Sequence, residues 1–404
     1  MRIVDNTPRI LKNRSIGDDV QAHTERSKVR ILFVIRDLDH GGAQRQLITL
    51  VKGLDKERFA VWVMTFYDGG ALRLEIEAIE GVRVFSLKKR GRWDWLRSVS
   101  NFDHAVRKLK PQIVHGYMGS ANEIGLLARF RTGARVVWGI RSSYTDFSRY
   151  DWAYSWSYRV GAWLSKFADL IIVNSYAGKA DCIADGYAGR RMLVIHNGID
   201  TERFRPDMAS RYRTRRKWDV ADNELLIGLV ARLDPMKDHP NFLRAAHLLC
   251  KQRNHVRFVC IGTGPAAYQR ELQLLAGALA LGDRLRWIQS YRDMAAAYNA
   301  IDLAVSASNC GEGFSNAIGE AMACGTPCVV TDVGDSARIV GNPEQVVLPQ
   351  DPHAFAAACQ RILALDPEQR AKLSYASRER IERDFNRQQL VDQTESALLR
   401  LLQC

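Results

Sequence analysis

The 404-residue sequence has no apolar run of the roughly 20 residues that a membrane-spanning helix needs. Its best candidate, residues 160–173, is interrupted by Lys166 and Asp169. Residues 1–28 lack the apolar centre of a secretory signal, and we expect them to form a flexible tail. We therefore expect a cytoplasmic protein, which leaves room for a peripheral position at the inner face of the cell membrane.

Metal and dinucleotide motifs are missing as well. The eight cysteines form no C-x-x-C pair and have no histidine at zinc-site spacing, so we expect buried, reduced thiols. The first glycine loop lacks the G-x-G-x-x-G fingerprint, which argues against an NAD-binding enzyme. We predict neither a metal nor a cofactor.

Acidic residues are in the minority. The chain has 58 Lys and Arg against 45 Asp and Glu, and 58 minus 45 gives a net charge of +13. This excess favours anionic partners such as nucleotides, anionic lipid surfaces or nucleic acid, and charge alone does not choose among them. Because no nucleic-acid recognition motif accompanies the charge, we expect no nucleic-acid partner.

The order of apolar runs and helical patterns predicts an α/β fold. The run Val29 to Ile35 is followed by Gly41 and Gly42 and then by the helical pattern Gln44 to Leu54. Similar strand and helix units recur, which is typical of doubly wound parallel sheets. The amides of the two glycines can approach an anion closely, although a tight turn alone would also explain them.

A second series of strand and helix units begins at Leu225 to Val230, and residues 366–402 have helical spacing. We therefore predict two Rossmann-like domains and terminal helices. The predicted division is a tail (1–28), an N-terminal acceptor domain (29–205), an arginine-rich linker (206–221), a C-terminal donor domain (222–380) and a final helix packing back on the first domain (381–404).

The segment from residue 309 to 327 carries the most informative pattern. Ser315 or Asn316 can cap a helix that Gly325 ends, which predicts about two helical turns. Glu312 precedes this helix, and Glu320 lies roughly 6–8 Å along its axis. Two carboxylates so placed can hold different parts of one ligand; alternatively, Glu312 caps a loop and Glu320 is a solvated helix residue.

Residues 311–332, with E-G-F-S-N-x3-E-A-M-A-C-G-T-P, resemble the E-x7-E donor signature of the retaining glycosyltransferase family 4, of the bacterial surface-polysaccharide type. That family has the GT-B fold, two Rossmann-like domains facing a cleft. The resemblance extends from about Arg30 to the end of the sequence. It implies that the donor sugar is bound by Glu312 and the amides of Phe314, Ser315 and Asn316, and the ribose by Glu320.

Further site residues follow from the same resemblance. Arg232 and Lys237 resemble the diphosphate-binding pair, and two cations there would offset charge on a departing diphosphate. His115, predicted to close a strand, would lie near the donor sugar, although it could also satisfy a loop hydrogen bond. The remaining donor-binding residues expected from glycine loops are Gly41, Gly42, Gly262 and Gly264.

The sequence contains two further patterns that bear on function. Asp37 and Asp39 spell D-x-D, a short metal-binding pattern that we reject here because chance matches are frequent. Residues 141–166 interleave eight aromatic side chains with four cations. This composition suits acceptor binding, a membrane-surface contact or an ordinary partly buried helix, and the sequence leaves these open.

The resemblance implies a metal-independent hexosyltransferase that moves a sugar from a UDP- or GDP-linked donor to an acceptor hydroxyl with retention of configuration. The expected acceptor is a carbohydrate or lipid-linked oligosaccharide in surface-polysaccharide synthesis. Two alternatives remain: a nucleotide-sugar epimerase on the same fold, and a non-catalytic protein that binds anionic polymers.

Overall fold

The structure, a computed structural model, describes residues 28–91, 94–141 and 152–403, without the side chains of 152–155 and 157. The predicted tail and part of the aromatic stretch 141–166 lie outside the described residues. Within them, two parallel sheets of seven and six strands confirm the predicted doubly wound α/β class.

The first sheet has the strand order β3-β2-β1-β4-β5-β6-β7, and every pair is parallel. Its strands are β1 (Val29–Ile35), β2 (Phe59–Thr65), β3 (Val82–Ser86), β4 (Ile113–Tyr117), β5 (Arg135–Ile140), β6 (Leu170–Val173) and β7 (Met192–Val194). Its helices are α1 (Gly42–Gly53), α2 (Arg73–Glu77), α3 (Trp95–Leu109), α4 (Gly119–Thr132), α5 (Trp152–Leu164) and α6 (Tyr176–Ala184).

The second sheet repeats this winding with the order β10-β9-β8-β11-β12-β13. Its strands are β8 (Leu225–Val230), β9 (Val256–Ile261), β10 (Leu285–Ile288), β11 (Leu303–Ser306), β12 (Cys328–Thr331) and β13 (Val346–Val347). The remaining helices are α7 (Met208–Lys217), α8 (His239–Gln252), α9 (Ala266–Ala278), α10 (Met294–Ala300), α11 (Asn316–Ala323), α12 (Ser336–Val340), α13 (Pro352–Leu363), α14 (Pro367–Asp384) and α15 (Arg387–Gln403).

The strand order reverses between β1 and β4 in the first sheet and between β8 and β11 in the second. Ligands of open α/β sheets bind at such switch points, beyond the carboxyl ends of the strands. The central strands are buried on both faces; Leu32 and Phe33, which point to opposite faces of β1, are both fully buried. The fold therefore provides two such edges, one in each domain, from which loops carry the candidate site residues.

The stretch that we predicted as a linker contains helix α7, which packs on α10 of the second sheet. Arg215 is 2% exposed and donates to Asp302 at 2.9 Å, and Arg211 donates to the same carboxylate at 2.6 Å. Asp302 also accepts from the backbone N–H of Leu226 at 2.7 Å. The two arginines therefore anchor α7 to the second sheet, because both bind the carboxylate of Asp302 just before β11.

The chain crosses between the two sheets at two neighbouring places. Ile199 donates its N–H to the carbonyl of Phe385 at 2.8 Å, and Arg387 donates back to Ile199 at 3.0 Å. Beyond this point α15 packs on α1, with Leu390 and Leu398 buried in the core of the first domain. Within the described parts of the chain, no helix combines the length and apolar character needed to cross a bilayer.

Candidate active site

The carboxylate of Glu312 lies beyond the ends of β8 and β11. Its Oε2 atom contacts the ammonium of Lys237 and accepts from the hydroxyl of Ser308 at 3.0 Å. Burial alone would raise the pKa of Glu312, but the charge and hydrogen bond of Lys237 and the bond from Ser308 hold it below its usual value. Glu312 is therefore an ionised acceptor, held in a fixed position.

The backbone after β12 packs closely against the loop that carries Glu312 and fixes its position. Gly334 has a φ of +63°, and a Cβ atom there would lie 2.0 Å from the carbonyl oxygen of Glu312. Asp335 donates its N–H to the carbonyl of Gly313 at 3.0 Å. Only glycine fits both the backbone angle and the space at position 334. The loop after β12 thus supports the carboxylate-bearing loop after β11.

Helix α11 begins directly after this loop and has the predicted length of about two turns. Ser315 occupies the N-cap position with an extended backbone, but its side chain makes no capping hydrogen bond to the helix. Gly325 follows the helix with a φ of +76°. The first amides of α11 therefore face the cleft without a side-chain cap of their own, as donors for a ligand oxygen.

Asn316 joins the two domains through its side chain. Its Oδ1 atom accepts from Asn197 at 2.8 Å and from Gln46 on α1 at 3.2 Å, and its Nδ2 atom is 3.5 Å from the carbonyl of Gly42. A Cβ atom at Gly42 would lie 3.3 Å from Nδ2. Gly42 is therefore small because α1 approaches α11 here. Gly41, by contrast, has the extended φ of −167°.

Glu320 lies one turn further along α11, partly buried against Tyr298 of α10. Burial raises its pKa to about 7, while a hydrogen bond with Tyr298 and the charges of Arg203 and Arg45 act in the opposite direction. The carboxyl group therefore keeps its proton to a higher pH than an exposed glutamate does. The pKa values of the two glutamates are shifted in opposite directions because Lys237 pairs with Glu312 and not with Glu320.

The two predicted phosphate-binding cations differ in exposure. The side chain of Lys237 is 19% exposed and is paired with Glu312, whereas that of Arg232 is 69% exposed and lies 3.6 Å from Asp234. The charge of Arg232 contributes to the lowered pKa of Glu312, so both cations act on the same point. Lys237 is part of a fixed pair, and Arg232 can reorient toward a ligand.

The glycines after β9 pack against the loop that carries Arg232. A Cβ atom at Gly262 would lie 1.9 Å from the carbonyl oxygen of Ala231, and one at Gly264 would lie 2.2 Å from that of Leu233. Leu233 also donates its N–H to Thr263 at 2.9 Å. The observed role of these two glycines is therefore to let the two loops approach each other.

We predicted that His115 ends its strand, and this was wrong, because β4 continues to Tyr117. It is fully buried, and its ring lies 5.4 Å from that of Phe33 and 4.9 Å from that of Tyr117. Among the residues that the structure describes, neither ring nitrogen has a hydrogen-bond partner. Burial first, and then the charge of Arg141, lowers its pKa well below the usual value. His115 is thus a neutral residue of the sheet interior.

Arg141, directly after β5, lies at the carboxyl edge of the first sheet, the edge at which we predicted His115. Its guanidinium donates to Asn197 at 3.1 Å and to the hydroxyl of Tyr117 at 3.1 Å. Since Asn197 contacts Asn316, this cation lies one residue from the start of α11. The sequence signal was its place directly after the apolar strand β5.

A second interdomain contact, absent from our sequence predictions, involves Asp335. This carboxylate accepts from the N–H groups of Tyr176 at 2.9 Å and Ala177 at 3.0 Å, and lies 3.1 Å from Nε2 of His196. Burial would raise its pKa, but these hydrogen bonds and the histidine hold it below the usual value. Asp335 therefore binds the first two amides of α6 in the opposite domain, beside that helix's own N-cap residue, Ser175.

The D-x-D pattern is occupied by local bonds. Asp37 accepts from Nε2 of Gln44 at 2.8 Å and from the N–H of Asp39 at 3.3 Å, which forms the turn before α1. In the described residues, no group of three or more His, Cys, Asp or Glu side chains is placed to hold a metal ion.

Two parallel-sheet domains, with a carboxylate and two cations at the switch point of the second, have the architecture of the GT-B fold. A model described as "Glycosyltransferase Family 4" matches residues 40–203, and one described as "Glycosyl transferases group 1" matches residues 224–365. The chain belongs to the family 4 type of glycosyltransferases.

Individual relatives agree with this assignment. The putative glycosyltransferase EpsF of Bacillus subtilis is 28% identical over 76% of this chain and 80% of its own length. The D-inositol 3-phosphate glycosyltransferase of Geodermatophilus obscurus is 34% identical over 49% of this chain and 46% of its own. The chain thus spans about half the length of the latter relative.

Solved structures share the fold. HepE of Anabaena, in complex with UDP and glucose, aligns with a TM-score of 0.81 at 23% identity, covering 92% of this chain and 99% of that one. Sucrose-phosphate synthase of Thermosynechococcus elongatus aligns with a TM-score of 0.78 at 22% identity, with coverage of 92% and 99%. At these identities the likeness concerns the fold alone.

Proposed function

We propose that this protein transfers a sugar from a nucleotide-sugar to an acceptor hydroxyl with retention of anomeric configuration. The observation that carries the proposal is the Lys237–Glu312 pair at the uncapped start of α11. An ionised carboxylate accepts two hydroxyl hydrogen bonds, as a sugar diol requires, and the adjacent amides and ammonium favour a diphosphate.

The two domains would act on opposite sides of the transferred sugar. Glu312 and the amides of residues 314–316 orient the sugar, and Glu320 accepts from the ribose hydroxyls. The acceptor oxygen bonds to the anomeric carbon while the bond from that carbon to the diphosphate oxygen breaks on the same face. The departing oxygen takes the acceptor proton, and the nucleoside diphosphate leaves.

Lys237 and Arg232 supply the charge that lowers the barrier in this proposal. Negative charge grows on the diphosphate as the sugar departs, and cations already in place stabilise it without reorganisation. The proposal therefore needs neither a metal nor a cofactor beyond the nucleotide-sugar. A double displacement would instead need a carboxylate nucleophile, and a trapped covalent sugar on Glu312 would favour that route.

A UDP-sugar is the first donor to test, since HepE, which shares the fold, was solved with UDP and with UDP-glucose. A GDP-sugar is the second. For the acceptor we propose a lipid-linked oligosaccharide of surface-polysaccharide synthesis, used at the inner face of the cell membrane. The net charge of +13 supports an anionic acceptor or surface and does not identify it.

Release of free nucleoside diphosphate tests the proposal. Each UDP- or GDP-sugar is incubated with the protein, with and without a lipid extract that contains acceptors. Transfer predicts release that rises at least about tenfold with acceptor and is lost in Glu312→Gln, while the matched variant Glu344→Gln, an exposed glutamate of the same domain, retains it. Epimerisation without release would indicate the epimerase, and unchanged cellular function in Glu312→Gln would indicate a binding protein.

A further inference from the structure

Helix α5 presents large aromatic side chains to solvent on one flank of the first domain. Trp156 is 65% exposed, Trp163 is 59% exposed, and Phe167, just after the helix, is 40% exposed. The two tryptophans are seven residues apart, two helical turns, so they lie on the same face of α5 roughly 10 Å from each other. Exposed aromatic groups of this size on one face are typical of an interaction surface.

The aromatic stripe continues beyond the helix. The rings of Trp163 and Phe167 lie 5.4 Å apart in an edge-to-face arrangement. Arg129 of α4 donates to the carbonyl of Phe167 at 3.1 Å, and its neighbour Phe130 is 74% exposed. Trp156, Trp163, Phe167 and Phe130 are called the flank aromatics below. The first three lie along α5 and just after it, and Phe130 lies near the end of α4, the helix that Arg129 ties to Phe167.

Cations surround the flank aromatics. Arg159 and Lys166 are exposed on the same segment, and neither forms an ion pair with a described residue. Arg129 and Arg131 are also exposed but are partly neutralised, since Arg129 pairs with Asp169 at 2.9 Å and Arg131 with Asp103 at 2.8 Å. Tryptophan and phenylalanine between long cationic side chains match the boundary of an anionic bilayer, where rings enter and charges remain at the headgroups.

The direction of α5 relates this surface to the cleft. A helix that connects two parallel strands runs from the carboxyl edge of the sheet to the amino edge. Trp156 therefore lies toward the end of the domain that carries Arg141 and the start of α11, and Phe167 toward the far end. A bilayer in contact with all of these aromatic side chains would lie along the flank of the first domain and would reach the cleft near Trp156.

We infer that the flank aromatics and the cations Arg159 and Lys166 dock this protein on an anionic lipid bilayer. This deepens the proposed function, because it names the surface that would bring the cleft to a lipid-linked acceptor. Only the use of such an acceptor rests on the proposed function. Docking itself is a property of the surface and can be measured without any transfer reaction.

Co-sedimentation of the full chain with vesicles tests the inference. Vesicles of phosphatidylcholine with about 30% phosphatidylglycerol are compared with pure phosphatidylcholine at low salt. The charge variant is Arg159→Gln with Lys166→Gln, and the aromatic variant is Trp163→Ser with Phe167→Ser. The control is Leu74→Ser with Leu96→Ser, because these leucines are 80% and 89% exposed elsewhere on the same domain.

Wild type and control are expected to bind the anionic vesicles, and wild type to bind neutral ones at least about 25-fold more weakly, because neutral lipid removes the attraction of both cations. At about fivefold per cation, the charge variant should lose roughly 25-fold in partitioning. The aromatic variant should lose at least about tenfold, because buried ring area no longer contributes. UDP titration and a melting curve for each variant check that the fold and the donor site are intact.

Equal binding of wild type and both variants, or no binding of folded wild type, would overturn the inference. So would a lipid-free dimer that the aromatic variant abolishes while vesicle binding persists, since a second copy would then be the occupant. Vesicle binding by a protein that binds no nucleotide-sugar would refute the proposed function and leave the docking surface standing.

Discussion

Replacing Lys237 by methionine removes the cation beside a buried carboxylate. The side chains of Lys237 and Glu312 are 19% and 10% exposed, so most of the pair is shielded from water. Breaking a buried pair from one side costs about 3–5 kcal/mol, and because both groups keep some exposure we expect about 3 kcal/mol. The apparent melting temperature should then fall by roughly 6–12 °C at pH 7.

The pH dependence follows from the pKa of Glu312, which lies below 4.5 in the folded protein. A depressed carboxyl pKa stabilises the fold above the unfolded value, and this contribution is lost as pH falls through the folded value. The difference in stability between wild type and Lys237→Met should therefore be largest at pH 7 and should decrease below about pH 4.5. Melting curves from pH 3.5 to pH 8 measure it.

The double variant Lys237→Met/Glu312→Gln separates stability from catalysis. With both charges gone, no uncompensated carboxylate remains, and most of the lost stability should return. Activity should not return, because the cation that stabilises the leaving diphosphate is still missing, and kcat should stay about 100- to 1,000-fold down. A single variant with unchanged melting temperature and kcat, or a double variant with restored kcat, would refute the reasoning.

Two further predictions concern the other carboxylates of the cleft. Burial raises the pKa of Glu320 to about 7, so the stability that this group contributes to the fold is full below pH 4.5 and is lost as the pH rises through 7. Over that pH range Glu320→Gln should melt at progressively higher temperatures than wild type, with a gain in stability of at most about 3 kcal/mol. The same variant should bind the donor more weakly. Coincident pH profiles would contradict this. Asp335→Ala removes the two hydrogen bonds that tie the start of α6 to the second domain, and small-angle scattering should show a larger radius of gyration with a raised KM. The matched variant Asp351→Ala removes a cap of α13 within its own domain and should only lower stability by about 1 kcal/mol. Equal scattering curves for the two variants would count against the interdomain role.

The strands were predictable because parallel strands buried on both faces appear as continuous apolar runs. The runs 29–35 and 225–230 coincide with β1 and β8, which are interior strands of the two sheets. Helix α11 was predictable for another reason, since its end is marked by a glycine that adopts a positive φ.

Contacts between distant segments could not be predicted in the same way. Nothing local to residues 208–217 reveals that Asp302 will bury Arg215, so an anchored helix looked like a polar linker. His115 was misplaced because a histidine in an apolar strand has the same local pattern whether it ends the strand or lies inside it. Asp335 went unnoticed since its partners are 159 and 158 residues away in the chain.

Calorimetric titration with UDP- and GDP-sugars tests the central claim, that the Lys237–Glu312 pair and the start of α11 hold a nucleotide-sugar. Wild type and the surface variant Glu344→Gln should bind at least one of these donors with equal affinity, and Glu312→Gln should bind it at least about tenfold more weakly. A folded wild-type protein that binds none of them, or a Glu312→Gln variant that binds as wild type does, would contradict the account.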